Sequence, residues 1–386
     1  MKTLKLIFKN ALRHKLRASL TILGIAIAVM AFGLLRTVVT AWYAGIEASA
    51  TNRLITRQAV SFIFPLPLAY RDQIAKIPGV ETVSYSNWFG GVYIDKKQFF
   101  ARLGVDDATF FDVYPELLIS PGELAAFKKE RNSCIVGDDL VKRYGFKLGD
   151  IINIEGDIYP GPWQFVVRGI YHPRDQATDP SNMFFHWQAI DERMRQDMPG
   201  RAGEVGWYII KIKFDANSAE VSKKIDNLFE NSRAETKTET EREFNQGFIA
   251  AFSSVITAMN VVSYVIIGII MLVLGNTMIM SARERTREYA VLKTLGFSAK
   301  HLAVLIAGES LVVSAIGAVA GILLLLPAVK GFQQAMPKGF FPVFYIEPQT
   351  FVLAVLAAIL VGAAAAIFPL QRALRTRIVD GLRFIG

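Results

Sequence analysis

The chain has 386 residues, 52% of them apolar and 20% charged, with a formal net charge of +9. That is too apolar for an ordinary water-soluble domain and too charged for a protein buried wholly in lipid, so it predicts a chain that is part membrane and part water-exposed. A surplus of +9 points to nucleic acid only if the basic residues gather on the exposed part, and their placement along the chain excludes this.

Residues 1–17 place Leu4, Ile7, Phe8, Ala11 and Leu12 on one helical face and Lys5, Lys9 and Arg13 on another. This predicts an amphipathic helix in the membrane interface that orients and anchors the chain. The first crossing covers 18–42. It is too long for a cleavable signal peptide and should stay as an anchor. Its Arg36 lies ~27 Å along the helix, where the guanidinium can reach the outer headgroups beside Trp42 and Tyr43.

Residues 43–247 form the water-exposed domain. "PLPLAYRDQIAKIPGVETVSYS" reads as a short helix, a turn at Pro78-Gly79 and a strand from Val80. "CIVGDDLVKRYGFKLGDIINIEG" reads as a strand, Gly137, a helix over 138–144, a Gly-bounded turn and a strand over 151–154. "QFVVRGIYH" and "GWYIIKIKFD" are further strands. "SAEVSKKIDNLFENS" opens a helix with Ser218 as N-cap and Val221, Ile225 and Leu228 on one face. This order fits a two-lobed α+β domain, with a second lobe around 112–190 inserted in the first.

From Phe244 to Ala282 there is no charged residue, enough for ~58 Å of helix, almost twice the hydrocarbon thickness. The reading is a crossing over 248–281 whose outer part, roughly 244–256, continues as a rigid stalk, since tilt alone does not hide the excess. Two more crossings follow at 302–327 and 350–371, joined by a short external loop at 328–349. Within the third, Gly317 and Gly321 form a small-xxx-small face for close helix packing. Glu309 is the single acidic group inside a crossing. It is either a functional carboxylate or the partner of an inner-leaflet arginine.

Four crossings return the chain to its starting side, and Lys and Arg orient it. Six lie in the N-terminal segment, five in 282–301 and four in the tail 372–386, against Lys330 and Lys338 in the loop opposite. Both termini and 282–301 are therefore expected in the cytoplasm. Residues 43–249 carry 25 Lys and Arg against 29 Asp and Glu, so the basic excess belongs to the inner membrane face and no nucleic-acid partner is expected.

In the charged stretch between the second and third crossings, Tyr289, Leu292 and Leu295 recur on a short helix while Arg283, Arg287 and Lys293 face elsewhere. Gly296 is a C-cap and Ser298 the next N-cap. A positive-inside loop explains the arginines, but not the apolar face, Glu288 or the Gly stop.

Catalytic signatures are missing. There is no GxxxxGK[ST] phosphate loop, GxSxG or HExxH. His172 and His186, with Asp175 and Asp179, match no familiar metal spacing, so no metal site is expected. Cys134, the only cysteine, is expected to be buried and inert. Trp88, Phe89, Phe99 and Phe100 either line a hydrophobic path or belong to the core.

Three stretches resemble the MacB/FtsX-type ABC transporter permeases, which include MacB, LolC, LolE and FtsX. "NALRHKLRASLTILGIAIAV" carries Arg17, Leu20, Thr21, Leu23, Gly24 and Ile25 where that family begins its first crossing. "ERTREYAVLKTLGFSAKHL", followed by "GES", places Glu288, Leu292, Leu295, Gly296 and Glu309. "FPLQRALRTRIVDGLR" resembles the final exit, with Pro369, Ala373, Leu382 and Arg383, and departs from it at Ile378, where many relatives have proline.

The resemblance implies an α-helical inner-membrane protein with four transmembrane helices, one plus three, and a two-lobed α+β extracytoplasmic domain between the first two. It implies a permease that is not itself an enzyme and binds no cofactor, with ATP and magnesium on a separate ABC ATPase present in two copies. A second permease chain, identical or a paralogue, completes the pair; an adaptor of MacA type and an outer-membrane duct are further possible partners. ATPase movement would pass through a coupling helix at 282–301, carried by Arg287, Glu288, Tyr289, Leu292, Leu295 and Gly296, to the external domain by mechanotransmission. Gly24, Gly317 and Gly321 would pack helices, and Glu309 is the functional candidate in the membrane. The cargo would be a lipid, lipoprotein, peptide or drug; the alternative is an FtsX-like signal transmitter that activates a cell-wall hydrolase. An external region of about 200 residues favours the exporter, because FtsX-like members resemble a smaller single-lobe version.

Overall fold

A computed structural model gives the fold and describes residues 2–47, 49–96, 98–175, 177–250, 252–336 and 344–375. The tail residues Ile378, Leu382 and Arg383, and Lys338 in the short loop, fall outside the described residues. The chain divides into a helical unit and an α+β unit, the latter built from Ala41–Phe252.

Two helices begin the chain, α1 (Lys2–Ala11) and α2 (Lys15–Glu47), the second 33 residues and so ~50 Å long. The α+β unit then runs β1 (Arg53–Gln58), β2 (Leu66–Pro67), α3 (Tyr70–Ile74), β3 (Val80–Trp88), β4 (Arg102–Val105), α4 (Phe110–Val113) and β5 (Leu117–Leu118). It continues through α5 (Pro121–Lys129), β6 (Ser133–Gly137), α6 (Asp138–Tyr144), β7 (Ile151–Gly156), β8 (Gly161–Pro173) and β9 (Met183–His186). It closes with α7 (Trp187–Asp197), β10 (Glu204–Val205), β11 (Trp207–Ile212), α8 (Ser218–Leu228), β12 (Thr236–Thr240) and α9 (Glu241–Ala250).

Ten of these strands form one sheet in the order β12-β1-β11-β3-β4-β9-β6-β8-β5, with β7 on β8. The expected inserted segment supplies β5 to β9, and its strands join the first half of the sheet through the parallel pairing of β4 with β9. The two halves thus share one hydrogen-bonded sheet within one compact unit. Period-two alternation sorts the residues. Leu54, Val83, Tyr85, Tyr208 and Ile210 turn one way, into a core closed by Ile74 of α3 and Val221 and Ile225 of α8. Ile55, Val105, Phe184 and Ile209 turn the other way and pack with Phe110, Phe111 and Phe127.

Two local expectations are corrected. The N-cap of α8 is Asn217, not Ser218: the side-chain Oδ1 of Asn217 accepts from the Ala219 and Glu220 N–H groups at 3.0 and 3.2 Å. Leu228 leaves the buried face and is exposed; Phe229 fills that place, stacked on Tyr70 at 3.8 Å.

The continuous stalk helix is the larger correction. Helix α9 ends at Ala250 and α10 (Ser253–Glu284) begins after a tight turn in which Phe252 N–H donates to Ile249 O at 2.8 Å. The absence of charge measures solvation and says nothing of the backbone path, so a 39-residue uncharged run holds two helices, not one. At 32 residues α10 is ~48 Å long.

The helical unit continues with α11 (Thr286–Thr294), α12 (Ala299–Ala335) and α13 (Pro348–Arg375). Among the described residues α12 is the longest helix, at 37 residues. Among the described residues four helices, α2, α10, α12 and α13, are long and apolar enough to cross a membrane. Helix α13 packs on both α10 and α12. Ser310 Oγ donates to Gly362 O at 2.6 Å and Ser314 Oγ to Ala358 O, two buried hydroxyls that tie α12 to α13.

Glycines set the approach of α2 to α12. A Cβ at Gly317 would stand 2.7 Å from Ile25 Cβ, and one at Gly321 would stand 2.7 Å from the Ala26 carbonyl oxygen. Gly24 differs from the expectation: a Cβ there meets nothing within 4 Å, so within this chain it packs no helix. Gly308 leaves room for Ile7, so that α1 lies against α12. Ile7 is buried and Ala11 packs on the core, but Phe8 and Leu12 of the same expected face are exposed.

Candidate functional site

Helix α11 is bounded as its residues dictate. Gly296 has φ of +86°, a conformation that suits glycine. Its N–H donates to Lys293 O at 3.1 Å while Phe297 N–H donates to Leu292 O at 3.0 Å, the paired bonds of a Schellman stop. Ser298 then precedes α12, its carbonyl accepting from His301 N–H at 3.0 Å and its hydroxyl bonding the His301 ring at 2.7 Å. The short helix is thus bounded between two long ones.

The apolar residues of this stretch divide. Tyr289 is buried in the helical core, in one cluster with Met278, Leu302 and Ile306, and Leu292 packs half-buried against it. Leu295 is 70% exposed, with Val291 and Phe297 each 42% exposed, and Arg287 is exposed as well. Spacing at i, i+3, i+6 had grouped Tyr289, Leu292 and Leu295 on one face; the first two serve the bundle and only Leu295 faces out. The outward apolar set is Val291, Leu295 and Phe297. Val291 and Phe297 were missed because neither falls on the i+3 series.

Charge ties α11 to the crossings. Arg285 is 7% exposed and Glu309 of α12 is 4% exposed, and Arg285 Nη1 donates to Glu309 Oε1 at 2.6 Å. Arg285 Nε donates to Glu288 Oε2 at 2.9 Å, and Glu288 Oε1 accepts from Arg13 Nη1 at 2.5 Å. Burial pushes the Glu288 carboxyl up, but Arg285 and Arg13 outweigh it and hold the group below the usual carboxylate range. Beside this chain, Arg17 grips Glu284 with two bonds of 2.8 and 2.7 Å, a fork-to-carboxylate pair. Glu309 therefore has the arginine partner that one of the two readings required, and the segment before α2, α11 and α12 meet in one ionic chain, with the pair between α2 and the end of α10 beside it. Arg36 is half-buried, its Nε without a hydrogen-bond partner among the described residues.

In the α+β unit, Phe89 and Phe100 are core residues, while Trp88 and Phe99 are partly exposed and stacked at 6.2 Å. Cys134 is fully buried and burial pushes its thiol pKa well up, which leaves it unreactive. His172 and His186 lie in separate settings. His172 Nδ1 pairs with Asp138 at 2.9 Å, whereas His186 is buried with Nε2 2.8 Å from Phe127 O. Asp175 and Asp179 each accept bonds from their own turns.

Two family models match: the MacB-like periplasmic core domain over residues 18–228, more than half of the chain, and the FtsX-like permease C-terminal domain over residues 260–378. An uncharacterized ABC transporter permease of Methanocaldococcus jannaschii is 22% identical over 408 aligned positions, covering 97% of this chain and 96% of that one. An uncharacterized ABC transporter permease protein of Mycobacterium tuberculosis is 23% identical over 204 positions, covering 52% of this chain and 22% of that one. The crystal structure of the periplasmic region of MacB from Actinobacillus actinomycetemcomitans is similar with a TM-score of 0.38 and 15% identity, covering 53% of this chain and 95% of that one. With one model on the first helix and the domain after it, and another on the last three helices, the chain belongs to the MacB/FtsX-type ABC transporter permeases, a family of multi-pass membrane proteins.

Proposed function

We propose that this chain is the transmembrane subunit of an exporter whose ATP hydrolysis occurs on a separate ABC ATPase, and that α11 is the coupling helix on which that ATPase seats. The observation that carries this reading is the division of α11: one face buried and pinned through Arg285 to Glu309, the other presenting Val291, Leu295, Phe297 and Arg287. A helix anchored on one face and apolar on the other is what a groove on a partner recognises. Force applied to α11 reaches the segment before α2 through Glu288 and Arg13, and α12 through Arg285 and Glu309.

The excess of Lys and Arg around α1, α11 and the tail supports a reading with these in the cytoplasm and the α+β unit outside. Two such permease chains pair over two ATPases that bind ATP and magnesium, and the cargo is taken from the outer side. It is a hydrophobic or amphiphilic molecule handed onward by the external domain, with an adaptor of MacA type and an outer-membrane duct where the envelope requires them.

Reconstitution with the ATPase separates this from a signal transmitter. The expected result is ATP-dependent release of a lipid or lipopeptide from proteoliposomes. Stimulation of an external cell-wall hydrolase with no release would sink the exporter reading.

A further inference from the structure

A cavity of about 450 Å³ opens on the sheet face of the α+β unit that carries Arg53, Ser86 and Trp207. Strand register explains its wall. Trp207 pairs with Ser86 across β11 and β3, and Leu103 pairs with Phe184 across β4 and β9, so these side chains leave the sheet on one side. The volume lies within the range of small-molecule sites, and Leu103, Phe110, Phe184 and Trp207 give it an apolar floor.

Its polar chemistry is one-sided. Carboxylates from Glu116, Asp175, Asp179 and Glu241 reach the wall, against the guanidinium groups of Arg53 and Arg174. Arg53 is held by two carboxylates, whereas Arg174 lends one nitrogen to a backbone carbonyl. Arg53 donates to Glu241 at 2.9 Å, to Val113 O at 2.8 Å and to Glu116 at 2.7 Å, and lies over the Tyr114 ring at 4.0 Å. Arg174 donates to Pro115 O.

Acceptors remain open. Arg53 uses only Oε1 of Glu116, and the three bonds that Asp175 accepts, from Ala177 N–H and from the Thr178 N–H and hydroxyl, all end on its Oδ1. Ser86 is 1% exposed, lines the cavity and has no partner for its Oγ among the described residues. A buried hydroxyl left alone destabilises the fold, a cost that a bound polar group removes.

We propose that this cavity binds an amphiphilic organic cation, its ammonium group on the open carboxylate oxygens of Glu116 and Asp175 and its apolar body against Phe184 and Trp207. An organic anion faces four carboxylates against two guanidinium groups, and a purely apolar ligand leaves Ser86 and the carboxylates unanswered. The site is defined by binding alone and stands apart from the transport reading, so a failure here leaves the release assay unaffected.

The test uses the full chain in phosphatidylcholine nanodiscs, titrated calorimetrically with 4-phenylbutylammonium, 4-phenylbutyrate and 4-phenylbutanol, with empty nanodiscs subtracted. The ammonium is expected to saturate one site per chain and the carboxylate to show no saturation. Glu116→Gln is expected to weaken the ammonium about tenfold, the loss of one charge-assisted contact. Because Glu116 also pairs with Arg53, Asp175→Asn serves as the second variant; it keeps an oxygen for its turn and is expected to weaken binding similarly. Equal signals from all three ligands, or saturable ammonium binding unchanged in Asp175→Asn, would overturn the proposal.

Discussion

Replacing Glu309 by Gln will destabilise the helical unit by about 3–5 kcal/mol, because it strips the charge partner from a buried arginine. Arg285 has little access to water and its Nη1 is held by Glu309 at 2.6 Å; only the half-exposed Glu288 would remain to it. Thermal unfolding of the detergent-purified chain measures the loss. The double replacement Arg285→Met with Glu309→Leu removes both charges together and is expected to recover most of the stability, since an apolar pair of similar size is often as good as a buried ion pair. That double variant also separates packing from force transfer: it should fold, yet stimulate its ATPase less than the native chain, having lost the link from α11 to α12. An unfolding midpoint for Glu309→Gln equal to that of the native chain would contradict the burial argument.

Leu295→Asp is expected to abolish stimulation of the partner ATPase and weaken its association at least about tenfold, while insertion and thermal stability stay within about 0.5 kcal/mol of native. The side chain stands at the Schellman stop and is mostly in solvent, so a charge there costs the folded chain little. Leu292→Asp is expected to behave in the opposite sense. Leu292 packs on the helical core, and a carboxylate there should lower stability by about 1–3 kcal/mol before any question of docking arises. Co-purification and unfolding of both variants distinguish the two faces of α11; equal losses of stability would show that the faces are not divided as described.

These cases mark where sequence reasoning was strong and where it ran out. The four crossings were legible because a helix in lipid must be apolar along its whole length, a constraint that leaves a long unbroken signal in one dimension. The stop at Gly296 and the strand starting at Val80 were legible for a related reason, since each is fixed by residues within a few positions of it. The partner of Glu309 was not: Arg285 is 24 residues away, beyond a helix stop and a turn, and any of several arginines in the stretch satisfied the charge argument. Gly24 shows the same limit, because a glycine in an apolar helix is compatible with close packing without requiring it. Asn217 against Ser218 was a contest between two good capping residues, settled by backbone position and not by composition. The cavity at Ser86 left no local trace, being assembled by strand register across β11, β3, β4 and β9.

The central claim is that the ATPase docks on the outward face of α11, and a single cysteine tests it. Cys134, the native thiol, is fully buried, so Leu295→Cys supplies the one reactive thiol in the folded chain. A short bifunctional thiol-to-amine reagent applied to the complex of this chain and its ATPase in nanodiscs is expected to join the two through residue 295, whereas Leu360→Cys, exposed on α13, should give no such product. Absence of the crosslink at 295, or equal yields at 295 and 360, would contradict the assignment of α11 as the coupling helix.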